Sequence, residues 1–196
     1  MQLVLASRNP HKVRELGELL KPHEIVPLPD DVELPPETGE TFEDNARLKA
    51  ESAARATGRP TIADDSGIEA AALGGRPGVR SARFAGEDAT DDENLEKLLR
   101  DVPRDGDRSV AYVCVLVFAT PEGDWHAVEA RCEGTLADEP RGSGGFGYDP
   151  AFVPIDYDDG RTMAELSQEE KDAISHRGRA ARKMLDWLAE RDEAAA

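Results

Sequence analysis

What this chain lacks narrows its chemistry first. It is short of positive charge: 24 Lys and Arg stand against 41 Asp and Glu, a formal net charge of -17. Non-specific nucleic-acid binding needs a basic footprint, so no nucleic-acid partner is expected. A polyanion near such a surface meets a repulsive long-range field. A small polyanion is still admissible where a few Lys or Arg side chains and a metal ion reverse that field locally. The acidic surface favours solubility and tolerance of high salt. No apolar run approaches the ~20 residues of a membrane helix, so no membrane partner is expected either. The apolar stretch 1–6 has no basic segment before it and no cleavage pattern after it, which points to a cytoplasmic chain. Cysteine is scarce, with 2 residues. Without an export signal, Cys114 and Cys132 are expected to be reduced thiols buried in strand-like runs. There is no internal repeat, no low-complexity linker, and no Ser-His-Asp set or activated-cysteine site that would call for a covalent intermediate.

What is present fits one domain, or two lobes sharing a core. The run 3–5 reads as a strand. Asn9 caps a helix with Pro10 at its first position, and Val13, Leu16 and Leu20 share one face. A short strand at 25–26 leads into a Pro-rich acidic loop, 30–39. Thr41 caps a second helix, with Asp44 three residues on; Phe42, Ala46, Ala50, Ala53 and Ala54 form its apolar face, and Gly58 and Pro60 end it. The buried run 61–63 then passes into Asp64-Asp65-Ser66-Gly67, where Gly67 is expected to supply a turn. A loop over 74–86, a helix over 91–99, a long hairpin over 109–136 and a Gly-rich loop over 142–150 follow. A last helix spans about 175–190, and 193–196 reads as a frayed tail. Alternating strands and helices with one long hairpin indicate an α/β fold with a mixed sheet.

Two helices open on cations: Arg8, His11 and Lys12 at the first, His176, Arg177 and Arg179 at the last. A helix N-terminus already carries partial positive charge, so added cations there suit a bound anion such as phosphate. Asp64 and Asp65 follow a buried strand, where ligand sites of α/β folds gather. Neighbours on a strand point to opposite faces, so at most one of the two is expected to hold a metal directly. Ser66 adds a hydroxyl and a backbone N–H. Glu37, Glu40 and Glu43 lie near the second helix; Mg²⁺ usually takes one or two protein carboxylates, and Glu37 with one Asp suffices. Phe146, set among glycines in Gly144-Gly145-Phe146-Gly147-Tyr148-Asp149-Pro150, can stack on a flat base.

Taken together, four segments in this order resemble the signatures of the inosine triphosphatase, or Ham1, family. They are Ser7-Arg8-Asn9-Pro10-His11-Lys12, Asp64-Asp65-Ser66-Gly67, Phe146-Gly147-Tyr148-Asp149-Pro150 and Lys171-Asp172-Ala173-Ile174-Ser175-His176-Arg177. The resemblance covers essentially the whole chain. It implies a single two-lobed domain over 1–196: an elongated mixed sheet flanked by helices, with the nucleotide in a cleft between the lobes, and a homodimer. It implies Mg²⁺-dependent hydrolysis of ITP, dITP and XTP to the monophosphate and pyrophosphate. Under it, Ser7, Arg8, Asn9, Pro10, His11 and Lys12 grip the triphosphate, and Asp65 is catalytic base and metal ligand with Glu37. Ser66 contacts the substrate, while Phe146, Gly147, Tyr148, Asp149, Lys171, His176 and Arg177 surround base and sugar. Arg177 and His176 are expected to read the purine 6-oxo group as donors, and Asp149 to hold Lys171 or its own loop. One position departs from the family: Arg8 stands where Gly is usual, and an Arg there offers a phosphate contact of its own.

Three other readings compete. An aspartyl-nucleophile phosphatase places two Asp residues two apart, which adjacent Asp64 and Asp65 fit poorly. A Maf-type pyrophosphatase does not call for the His176-Arg177 segment. A non-catalytic nucleotide-binding regulator needs the cationic helix starts and Phe146 but not Asp65 and Glu37 together.

Overall fold

The computed structural model describes residues 1–194. Six strands form one mixed sheet in the order β2-β1-β3-β4-β5-β6. They are β1 (Gln2–Leu5), β2 (Glu24–Pro27), β3 (Thr61–Ala70), β4 (Ser109–Ala119), β5 (Trp125–Leu136) and β6 (Phe152–Pro154). β1 pairs in parallel with both β2 and β3, and β6 runs antiparallel to β5. The helices are α1 (Pro10–Leu19), α2 (Phe42–Thr57), α3 (Asp91–Asp101), α4 (Gln168–Ile174) and α5 (His176–Ala194).

The chain divides into two compact units. The first contains 1–65, 114–130 and the chain from 177 onward; the second contains 66–113 and 131–176. β3, β4 and β5 each contribute residues to both.

In the first unit, Asn9 starts α1 as expected: its side-chain oxygen accepts from the backbone N–H of His11 at 2.9 Å and of Lys12 at 3.4 Å. Leu16 and Leu20 are fully buried and pack with Leu3, Leu5, Ile62 and Met184. Each such Leu contributes roughly 1.5–3 kcal/mol of burial. Thr41 starts α2 by accepting from the Asp44 N–H at 3.1 Å. The α2 face of Ala46, Ala50, Ala53 and Ala54 is wholly buried, and its small side chains bring the helix backbone close to its neighbours. The loop before α2 is tied to β3 through Asn45, which accepts from the Gly39 N–H and donates to Asp65. The frayed tail expected over 193–196 falls in part on residues 195 and 196, outside the described residues; Glu193 and Ala194 are still helical.

In the second unit, Ile68, Leu98, Phe152 and Met163 centre a separate core. Two sequence expectations fail there. Gly67 makes no turn, because β3 runs on to Ala70. A Cβ on Gly67 would lie 2.4 Å from the Ser81 hydroxyl oxygen and 2.5 Å from the Gly78 carbonyl oxygen. Gly67 is thus a close-approach position within a strand. The 74–86 segment is not all loop, since Gly78–Arg83 forms 3₁₀ turns. Two elements were not legible in the sequence: β6 is only three residues long, and α4 is a seven-residue helix that ends immediately before α5.

Candidate active site

Each unit carries its own cluster of charged side chains. The first unit's cluster grows from the start of α1, the middle of α2 and the first half of β3. Asp64 and Asp65 are both buried on β3, and their partners differ. Lys12 approaches Asp64 at 2.8 Å. Arg177, at the start of α5, donates to Glu15 at 3.1 Å and lies 3.5 Å from Asp64. Burial pushes the Asp64 carboxyl up, but Lys12, Arg177 and Lys49 outweigh that and hold it well below the usual carboxylate range. Asp64 is a fixed anion.

Asp65 has the opposite balance. Burial pushes its carboxyl up to about 6; Lys49 opposes the rise, Glu37 adds to it, and Lys12 and the Asn45 amide oppose it. Asn45 donates to Asp65 at 3.0 Å and accepts from the Gly39 N–H at 2.7 Å. One buried amide thus ties the acidic loop to the strand. Glu37, on that loop, pairs with Lys49 at 2.5 Å. Burial lowers the Lys49 ammonium, but Asp64, Asp65 and Glu37 more than offset this and raise it. Adjacent carboxylates thus end with different properties: one is locked in its anionic form and the other is poised to exchange a proton.

The residues that precede Lys12 hold backbone. Asn9 caps α1, and the Ser7 hydroxyl accepts from the Asn9 N–H at 3.2 Å. Pro10 and His11 form the first helical positions. Arg8 donates to three carbonyls at the entry to the acidic loop, those of Leu28 and Pro29 just before it and of Val32 within it.

In the second unit, Asp149 is the hub. It accepts from Lys171 at 2.8 Å, from the Phe146 N–H at 3.0 Å and from the Tyr112 hydroxyl at 3.0 Å. Asp149 therefore does hold both Lys171 and its own loop. His176 stacks on Tyr112, with ring centroids 4.6 Å apart and planes 12° from parallel. The Lys171 ammonium lies 5.2 Å from the Phe146 ring centroid. Gly145 allows the loop to fold onto Asp149: a Cβ there would fall 2.0 Å from Asp149 Oδ2. Tyr148 is buried and donates to the Ser81 carbonyl at 2.7 Å, and the Gly147 N–H donates to Asp91 at 2.9 Å. Ser66 is half-buried on β3.

A model of the Ham1 family matches residues 3–187. The chain belongs to the Ham1 family. A protein of Shigella flexneri named dITP/XTP pyrophosphatase is 50% identical, over 95% of this chain and 98% of that one. A Geobacillus kaustophilus protein of the same name is 49% identical, over 93% and 92%. The solved structure of a HAM1 protein from Coxiella burnetii has a TM-score of 0.88 at 42% identity and covers 97% and 99% of the two chains.

Within this Ham1 chain the structure adds four residues that sequence reasoning passed over, the first being Glu15, the buried acceptor of Arg177. Lys49 and Asn45 lie inside α2, on a helix read only for its apolar face; both are buried polar residues one turn apart, and that is the signal that was available. Tyr112 reads in the sequence as an ordinary strand aromatic. Of two sequence neighbours, Arg177 contacts Glu15 and Asp64, while His176 stacks on Tyr112.

Proposed function

We propose that this chain hydrolyses dITP, ITP and XTP to the nucleoside monophosphate and pyrophosphate. Its relatives at 49–50% identity carry the name dITP/XTP pyrophosphatase. The observation that carries the reading is the pair of buried carboxylates on β3 with different partners: Asp64 is held by Lys12 at 2.8 Å, and its neighbour Asp65 accepts from the Asn45 amide at 3.0 Å.

Asp65 and Glu37 fit a hard divalent cation. Both are carboxylates, each raises the cost of the other's charge, and Lys49 supplies the compensating positive charge. Among the described residues no three His, Cys, Asp or Glu side chains group as a metal site; two carboxylates, completed by water and phosphate oxygens, match Mg²⁺. Bound there, Mg²⁺ would neutralise phosphate charge and lower the pKa of a coordinated water. Asp65 orients a water and takes its proton. The water oxygen attacks the α-phosphorus, the bond from that phosphorus to the bridging oxygen breaks, and pyrophosphate leaves with the bonding pair. Lys12 meets the phosphates, and Asp64 keeps it aligned. Ser7, Asn9, Pro10 and His11 preform the turn at which α1 presents its N–H groups, and Ser66 contacts the substrate. Phe146 stacks on the base within the loop of Gly147, Tyr148 and Asp149, with Lys171 beside it. His176 and Arg177 donate to a 6-oxo group, which adenine lacks. A homodimer of two-lobed subunits in the cytoplasm completes the proposal. Among the described residues no helix is long and apolar enough to cross a membrane.

The test is product analysis with α- and γ-labelled ITP. Pyrophosphate and IMP as the only first products, lost on chelation of Mg²⁺, support the reading. Orthophosphate appearing first, or binding without turnover, refutes it.

A further inference from the structure

We propose that Arg8 is a positioning residue that clamps the acidic loop so that Glu37 is held ready for the metal, an inference that rests on the metal reading above. The Arg8 guanidinium donates to the carbonyls of Leu28 at 2.9 Å, Pro29 at 2.6 Å and Val32 at 3.0 Å. Its 3.5 Å approach to Asp30 adds little, because Asp30 is fully exposed. Three carbonyls on one planar fork is a task for Arg and not for the compact ammonium of Lys. The Val32 N–H in turn donates to the Pro29 carbonyl at 3.1 Å, so the clamp closes a small turn at 29–32. Five residues later the same loop delivers Glu37 to Lys49, and Gly39 donates to Asn45, which holds Asp65. The loop is pinned at both ends, by Arg8 from α1's leading turn and by Lys49 and Asn45 from α2.

This arrangement gives the Arg8 side chain a structural task. Its guanidinium is engaged by main-chain carbonyls, each of which would otherwise require water. The ordering cost of a mobile acidic loop is thereby met before the metal arrives, and preorganisation of this kind appears as affinity.

The experiment compares Arg8→Gly and Arg8→Lys with the parent protein, free of nucleotide. Amide hydrogen exchange is followed at Val32 and Gly39, and Mn²⁺ binding by calorimetry. Losing hydrogen bonds to a charged donor should speed Val32 exchange about tenfold or more in both variants. Gly39, held by Asn45, should change far less and reports that the fold is intact. Mn²⁺ affinity should fall about three- to tenfold in both variants, as expected for a loop that must be ordered on binding. In a Glu37→Ala background, Arg8→Gly should still speed Val32 exchange yet cost no further Mn²⁺ affinity, the non-additivity expected of coupled residues. Unchanged Val32 exchange overturns the clamp, as does an Arg8→Lys variant that behaves like the parent. An additive loss of Mn²⁺ affinity in the double variant overturns the link to Glu37. If Glu37→Ala alone leaves Mn²⁺ affinity unchanged, the metal reading itself fails, and the inference with it.

Discussion

Asp65→Asn should make the protein more stable and nearly inactive, and the stability gain should depend on pH. Burial pushes the Asp65 carboxyl to about 6, against about 3.9 for an unperturbed Asp. Below about pH 4 the group is protonated in folded and unfolded chains alike and contributes nothing. As pH rises from about 4 to 6 the unfolded chain ionises first, so folding is progressively penalised. Above about 6 the penalty is complete, and the gap corresponds to about 3 kcal/mol. Asn removes the ionisation and keeps an oxygen for the Asn45 amide. It loses the attraction of Lys49, so the net gain at pH 8 should be about 1–3 kcal/mol, shrinking towards zero by about pH 4. Urea unfolding of parent and variant at pH 4 and pH 8 measures this. Turnover at saturating Mg²⁺ should fall at least about a hundredfold, because base and ligand are lost together. A variant less stable than the parent at pH 8, or a gain equal at both pH values, would refute the assignment of Asp65 as the strained carboxylate. Near-parent turnover would remove it from the chemistry.

Two further substitutions separate the first unit's cations. Lys12→Ala should cost about 2–4 kcal/mol in kcat/KM, as a charged contact in a partly desolvated site; unchanged kcat/KM would leave Lys12 as a partner of Asp64 alone. Arg177→Ala should lower kcat/KM for ITP by about 10–200-fold and for ATP much less if the guanidinium reads the 6-oxo group. Equal losses on both substrates would mean instead that Arg177 acts through Asp64, which it approaches at 3.5 Å, and not on the base.

The sequence disclosed what local chemistry controls. Asn9 and Thr41 were legible as caps because a short polar side chain before an apolar-periodic run has few other uses. The Ala face of α2 was legible from its period, and the hairpin of β4 and β5 from a long apolar run followed by the turn at 121–124. Gly67 was misread because a glycine after two Asp residues is usually a turn signal. What required it was Ser81 and Gly78, fourteen and eleven residues on, and nothing local in the chain announces that approach. β6 and α4 are too short to show a period. Arg8 was legible only as a cation near phosphate machinery, because its three carbonyl partners lie 20–24 residues away. The carboxylates of the site were readable as types; only the resemblance singled out Asp65 from Asp64, because the local pattern says nothing of Lys49 and Asn45, which the amphipathic reading of α2 assigned to no task.

The charge inventory of the first unit gives an independent argument for a metal. Lys12, Lys49 and Arg177 are matched there by Glu15, Glu37, Asp64 and Asp65. Once Asp65 ionises, three cations face four carboxylates within a chain whose net charge is -17. Among these side chains positive charge is not in surplus. Lys12 can meet a phosphate only while it keeps Asp64, which the three donors of an ammonium allow, because moving it away would strand a buried carboxylate, a change that is costly in itself. A divalent cation held by Asp65 and Glu37 would reverse the sign of the site without breaking Lys12 from Asp64 or Arg177 from Glu15. It would also favour the ionised form of Asp65, with release of its proton. An acidic protein can thus handle a polyanion by keeping its few cations paired and letting the metal supply the excess, so proton release on Mg²⁺ addition near pH 6 and triphosphate binding should appear together or not at all.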